Sequence, residues 1–279
     1  MNLSIIILSK TDTIDLHTMT MNCINSLMET EHSISKELLL IESNKDYFNS
    51  DFKYPDFVNV IVPGSDFNFH KFLNIGIKAS KGDYIALCNN DLIFHEHWFS
   101  AILEIANKNK DILSFSPKGT APLLNQNAEF SLGYKVRTHV NGWCIVAKKE
   151  LFDKIGLLDE KFDFFYADND YAMTLKRRNI KHARVHNSHV IHLEKPAAKK
   201  SEKTLDKKKD FLKRYKIPDY LWRDDYKWVL ETEKNLSGFL KFHDKWGSPV
   251  LYYRKNKICD ILMRYKLGFL NWFVLGFKF

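Results

Sequence analysis

The chain has 279 residues, 45% of them hydrophobic and 27% charged, which suits one large globular domain or one domain with an appendage and excludes a disordered or fibrous protein. A formal net charge of +8 points to an anionic partner, whether a nucleotide, a phospholipid surface or a nucleic acid. Cys23, Cys88, Cys144 and Cys259 show no metal-binding spacing, so buried free thiols in a reducing compartment are expected.

In chain order, Met1–Leu8 reads as a first strand and not a signal peptide, running into the loop Ser9-Lys10-Thr11. A helix is predicted over 17–29, with Met21, Ile24, Leu27 and Met28 on one side. Strands follow at 36–41, ending in Glu42-Ser43-Asn44, and at 58–62, stopped by Pro63-Gly64. Residues 69–79 read as a helix capped by Asp66 or Asn68 and stopped near Gly82. Tyr84 to Cys88 is a strand buried on both faces that runs into Asn89-Asn90-Asp91. A helix over 96–107 and a strand over 112–116 come next. Residues 118–140 read as loop with short strands, and 139–148 as strand-like around Trp143. A short helix is expected at 150–155, a second from Asp168 to about 178, and a last strand at 185–192.

This alternation predicts an α/β fold, a mostly parallel central sheet flanked by helices. Parallel strands would gather Ser9, Glu42 and Asp91 on one carboxyl edge, where ligands bind in open α/β sheets. Asp91 is therefore either a cofactor or metal contact or, with His95, part of a turn that caps the next helix. No G-x-G-x-x-G follows the first strand, and no phosphate-binding G-x-x-x-x-G-K-[ST] occurs. No stretch reaches the roughly 20 apolar residues of a membrane span. After residue 195 the composition turns basic and aromatic. Residues 1–195 form the first unit, split near residue 115, and 196–279 form a helical C-terminal region.

Taken in order, these clusters resemble a family 2 glycosyltransferase of the GT-A fold over residues 1–195. Ser9-Lys10-Thr11 resembles the first nucleotide-binding loop, and Leu40-Ile-Glu-Ser-Asn44 the second-strand motif. The segment Asn68 to Asp83 resembles the stretch before the metal site. Cys88-Asn-Asn-Asp91 resembles the D-x-D motif in an Asn-Asn-Asp form. Asn141 to Glu150 and Ile155 to Glu160 resemble the acceptor-side segment. Phe165-Tyr-Ala-Asp-Asn-Asp170 resembles the site of the catalytic base, and Val190-Ile-His192 the terminal histidine. Three positions depart from the pattern: Glu42 replaces the commoner Asp, Ala167 the usual Glu, and Asn89 the first Asp of D-x-D.

The resemblance implies an inverting hexosyl- or deoxyhexosyltransferase. Its donor is a nucleotide-diphosphate sugar, and its acceptor a glycan or lipid-linked glycan. Asp168 is the expected base, with Asp170 beside it. Ser9, Glu42, Asn44, Lys71, Asn74, Asn89, Asn90 and Trp143 are expected at the donor. Asp91 would hold Mn²⁺ or Mg²⁺. His192 fits a metal ligand or a structural histidine, and Trp143 a sugar-stacking or core residue. His186 and His189 are expected to be structural. Residues 255–279 mix Lys257, Arg264, Lys266 and Lys278 with Phe269, Trp272, Phe273 and Phe277. That mixture suits either a helix lying on a membrane surface or one packed on the catalytic part. A cytoplasmic protein, peripheral at the inner membrane face and without a nucleic-acid partner, is expected. The competing readings are a sugar-phosphate nucleotidyltransferase and a non-enzymatic basic protein binding membranes or nucleic acid.

Overall fold

The computed structural model describes residues 2–119, 128–193, 212 and 214–276. The expected boundary near residues 195–200, most of the basic run from Lys195, and Phe277 to Phe279 lie outside them.

The strands are β1 (Asn2–Ser9), β2 (Ser35–Glu42), β3 (Val58–Ile61), β4 (Tyr84–Cys88), β5 (Leu92–Phe94), β6 (Ile112–Lys118), β7 (Phe130–Leu132), β8 (Cys144–Lys148) and β9 (Lys181–His192). They pair in the order β3-β2-β1-β4-β8-β6-β9-β5, with β7 also on β9. β1 to β4, β6 and β9 run one way, and β8, β5 and β7 run against them. The sheet is thus parallel in its first half, and β8 sits reversed between β4 and β6. β5 was not legible as a strand, because a three-residue run carries no usable period, and β7 falls within residues 118–140, read as loop with short strands.

The central strands are continuous apolar runs because both faces are covered. Ile5 and Ile7 pack with Cys23, Ile24 and Leu27 of α1 (Ile14–Met28) and with Trp98 and Ile102 of α3 (Trp98–Lys108). Ile6 and Leu8 face α2 (Phe69–Ala79), α4 (Glu150–Ile155) and α5 (Ala167–Arg177) through Phe72, Leu151 and Leu175. All four cysteines are free and buried, as expected.

Two expected helix boundaries move. Asn68 and not Asp66 caps α2, its side chain accepting from the Lys71 amide at 2.9 Å. Gly82 does not stop that helix, whose C-terminal cap is Ser80. Gly82 is needed because a Cβ there would lie 2.6 Å from the Ser4 amide nitrogen. α3 begins at Trp98, so neither Asp91 nor His95 caps it. Its first-turn amides, those of Phe99 and Ser100, donate to the buried carboxylate of Glu31, both at 2.7 Å.

The C-terminal helices are α6 (Glu233–Trp246), α7 (Pro249–Arg264) and α8 (Asn271–Gly276). Their Phe242, Trp246, Cys259 and Leu275 share one core with Phe162, Ala167 and Met173 at α5. Lys176 of α5 reaches Asp260 and the Asn256 side chain, both at 2.7 Å. No helix among the described residues is long and apolar enough to cross a membrane.

Candidate active site

The parallel pairing of β1, β2 and β4 puts Ser9 opposite Glu42 and carries Cys88 to the same edge, as the pattern implied. The loop after β1 is fixed there by polar contacts. Glu42 accepts from the amide and hydroxyl of Thr11 at 3.0 and 2.7 Å, and from the Asn44 amide at 2.7 Å. The Asn44 side chain donates back to the Thr11 carbonyl at 2.7 Å. Ser9 lies 3.2 Å from the Thr20 hydroxyl and 3.1 Å from that of Tyr54. Thr20 in turn accepts from the Asn90 side chain at 2.8 Å.

This corrects the expected donor contacts of Glu42 and Ser9. Glu42 is 0% exposed and has three of its acceptor positions filled within the protein, so in this structure it shapes the loop. Ser9 is buried in the hydroxyl network behind it. The surface at this edge belongs to Lys10, Asp12, Asn44, Asn89 and Asn90. Thr11, from the expected loop, and Thr20 and Tyr54, which were missed, complete the network. Tyr54 lies in the irregular β2–β3 connection, where no periodicity marks it.

β4 leads into the Asn89 amide, which donates to the Trp143 carbonyl at 2.9 Å. Asp91 follows, and β5 then pairs with the end of β9, setting Leu92 opposite His192. The His192 Nε2 lies 3.3 Å from Asp91 Oδ1, an oxygen that is buried without a hydrogen-bond partner. The Trp143 and His192 rings stack at 5.5 Å and 8°. Gly119 permits this position of the indole, since a Cβ there would lie 2.7 Å from Trp143 Cζ2.

Asp168 joins the same cluster through Gly142, the residue before Trp143. A Cβ on Gly142 would lie 2.6 Å from Asp168 Cβ and 3.0 Å from Oδ2, so this carboxylate rests directly on the glycine. Asp168 is not a cap: it lies in the first turn of α5, whose cap position is Tyr166 with φ of 66°. It accepts from the adjacent Asn169 amide at 2.9 Å. Burial pushes its carboxyl above the usual carboxylate range, while that amide and the Arg137 charge pull the other way. Arg137, exposed on the loop before Gly142, was also missed; a lone arginine in an irregular segment carries no motif.

Asp170 does not share this position. Two residues along a helix turn the side chain by about 200°. Asp170 accepts from the Trp246 indole at 2.8 Å and pairs with Lys245 at 2.7 Å. It joins α6 to α5 and is corrected from the catalytic set. Burial raises its carboxyl, opposed chiefly by Lys245.

Asn74 is likewise corrected from the donor set. It is buried, donates to the Leu158 carbonyl at 2.9 Å and to Glu160 at 3.1 Å, and accepts from the Leu158 amide. Asn68 and His70 hold the same loop, through the carbonyls of Glu160 and Asp159. α2 thereby clamps the segment that delivers Phe162 to Asp168. Lys71 donates to Ser65 at 3.1 Å and stays half-buried on the rim. His186 contacts the Ala128 carbonyl and Ser131, a structural setting.

Two side chains, Asp91 and His192, make a candidate cation site. Among the described residues no group of three or more His, Cys, Asp or Glu converges. A hard carboxylate oxygen lacking a partner, beside an imidazole nitrogen, suits Mn²⁺ or Mg²⁺, which take remaining ligands from water and substrate phosphates.

The mixed sheet with helices on both faces and a helical C-terminal part matches the GT-A glycosyltransferase fold. The family model of glycosyl transferase family 2 matches residues 22–154 of the chain. The crystal structure of S. aureus TarS, residues 1–349, is similar, with a TM-score of 0.51 at 13% identity. The match covers 69% of this chain and 60% of that one, and it bears on the fold alone. No curated protein sequence matches the chain.

Proposed function

We propose that the chain transfers a sugar, with inversion, from a nucleotide-diphosphate donor to a hydroxyl of a glycan or lipid-linked glycan. The observation that carries this reading is the continuity of Asp168, Gly142, Trp143, His192 and Asp91 along one sheet edge. It sets a carboxylate of raised pKa beside a candidate diphosphate site. Asp91 and His192 would hold a divalent cation, which neutralises charge on the departing diphosphate. Asp168 takes the proton of the acceptor hydroxyl as the new glycosidic bond forms. Its setting favours that task, since a base poised nearer neutrality than an ordinary aspartate accepts a proton more readily. Trp143 offers a half-buried ring to a sugar. Asn89, Asn90 and Asn44 line the donor edge, with Lys71 at its rim, and Arg137 adds positive charge near the base.

The acceptor reading extends to the C-terminal helices. Tyr253, Ile261, Tyr265, Phe269 and Phe273 are exposed there, interleaved with exposed Arg254, Lys257, Arg264 and Lys266. Such a face suits the interface of an anionic membrane, where a lipid-linked acceptor would reside.

A thermal-shift screen of nucleotide sugars with and without Mn²⁺ tests the donor reading. A true donor at 100 times its dissociation constant stabilises by about 2.7 kcal/mol. Stabilisation by one nucleotide series, dependent on Mn²⁺, is the expected result. A flat response across uridine, guanosine, cytidine and thymidine diphosphate sugars would overturn it.

A further inference from the structure

A cavity of about 180 Å³ lies along α5, lined in part by Asp170, Arg177, Arg178, Lys245, Trp246 and Trp272. It lies between α5 and the C-terminal helices. It runs along one face of α5 from Asp170 to Arg178, with Asp159 also in its lining, whereas Asp168 is not in the lining and its side chain is turned by about 200° from that of Asp170. The cavity is therefore separate from the Asp168 site.

Its charges are unevenly matched. Lys245 is paired with both Asp159 and Asp170, at 2.8 and 2.7 Å. Arg177 and Arg178 have no carboxylate partner among the described residues, and the Nε of Arg177 is buried without a hydrogen-bond partner. Both guanidinium carbons lie over the Trp272 ring, 4.2 and 4.0 Å from its centroid. The indole holds two like charges together, an arrangement that costs energy until an anion neutralises it. Burial and the neighbouring Arg178 both lower the pKa of Arg177. Planar guanidinium groups suit phosphate oxygens, and two of them suit a phosphate monoester, which carries close to two charges.

We propose that this cavity binds a phosphate monoester, presented by a lipid headgroup or by a soluble phosphate ester. The headgroup source rests on the membrane reading above, because Trp272 both lines the cavity and neighbours exposed Phe269 and Phe273. The chemistry of the cavity does not depend on that reading.

The test uses the full chain in two arms. Calorimetry with inorganic phosphate, against chloride at matched ionic strength, reads the cavity itself. Flotation with phosphatidylcholine vesicles containing phosphatidic acid, against vesicles of equal charge made with phosphatidylserine, reads the source. Arg178→Gln is the main variant, since Arg178 is exposed and its loss should leave the fold intact. Phosphate binding weakened at least tenfold in Arg178→Gln, with flotation selective for phosphatidic acid, supports the headgroup source. Phosphate binding with the same loss but no flotation on any vesicle supports a soluble ester and overturns the membrane reading alone. Equal heats with phosphate and chloride, or unchanged phosphate affinity in Arg178→Gln, would overturn the cavity site.

Discussion

Gly142→Ala displaces the proposed base without removing it. The added Cβ would stand 2.6 Å from Asp168 Cβ, 3.2 Å from Cγ and 3.0 Å from Oδ2. Carbon atoms pack best at about 3.5–4.0 Å, so Asp168 must withdraw by about 1 Å. Gly142 is not among the positive-φ glycines, so alanine meets a contact and not a forbidden backbone. Overpacking of this kind costs about 1–3 kcal/mol of stability. A shift of about 1 Å in a reacting group costs on the order of 100-fold in rate, or about 2.7 kcal/mol of barrier. The expected variant is folded, has nearly unchanged donor affinity by calorimetry, and turns over about 100-fold more slowly at saturating donor. Wild-type turnover by a folded Gly142→Ala protein would refute the claim that the position of Asp168 governs the chemistry.

Asp168→Asn should keep donor binding and lower turnover by about 10²–10⁴-fold, read as transfer rate at saturating donor. Since burial raises the Asp168 pKa, wild-type kcat/KM should fall on the acid side with a midpoint above the ordinary 3.8, a limb lost in the variant. The raised pKa also means that the ionised carboxylate weakens the fold. Its stabilising contribution is full below the unfolded pKa and is lost as pH rises through the folded one. Thermal melts should therefore show Asp168→Asn at least as stable as wild type at neutral pH, with no advantage in acid. Glu42→Leu removes the one oxygen that accepts from both the Thr11 and Asn44 amides. Urea unfolding should register a loss of about 1–3 kcal/mol, and a stability equal to wild type would count against its role in the loop. Asp170→Ala leaves the buried Trp246 indole without its acceptor while Lys245 keeps Asp159, so it should cost about 1–3 kcal/mol by the same measurement, and wild-type stability would count against the link from α5 to α6.

The parallel half of the sheet was readable from the chain because each strand is a short apolar run closed by polar residues. Asp91, His192, Trp143 and Asp168 lay in ordered motifs, and the structure joins them. The misassigned residues share a physical cause. Glu42 and Asn74 are polar groups at motif positions, but their hydrogen-bonding capacity is consumed within the protein, which composition and spacing do not reveal. Asp170 was placed beside Asp168 by proximity in sequence, whereas the helical turn points them apart. Tyr54, Thr20 and Arg137 reach the edge from irregular or distant segments, through contacts that only the tertiary fold creates.

The central claim is that Asp91 anchors a cation for a nucleotide-diphosphate sugar. Titration calorimetry of a nucleoside diphosphate into wild type and Asp91→Ala, each with Mn²⁺ and with chelator, tests it most directly. Asp91 Oδ1 has no hydrogen-bond partner to lose, so the variant should fold normally. Binding by wild type only with Mn²⁺, and none by Asp91→Ala in either condition, is the expected result. Equal affinity in all four titrations would contradict it.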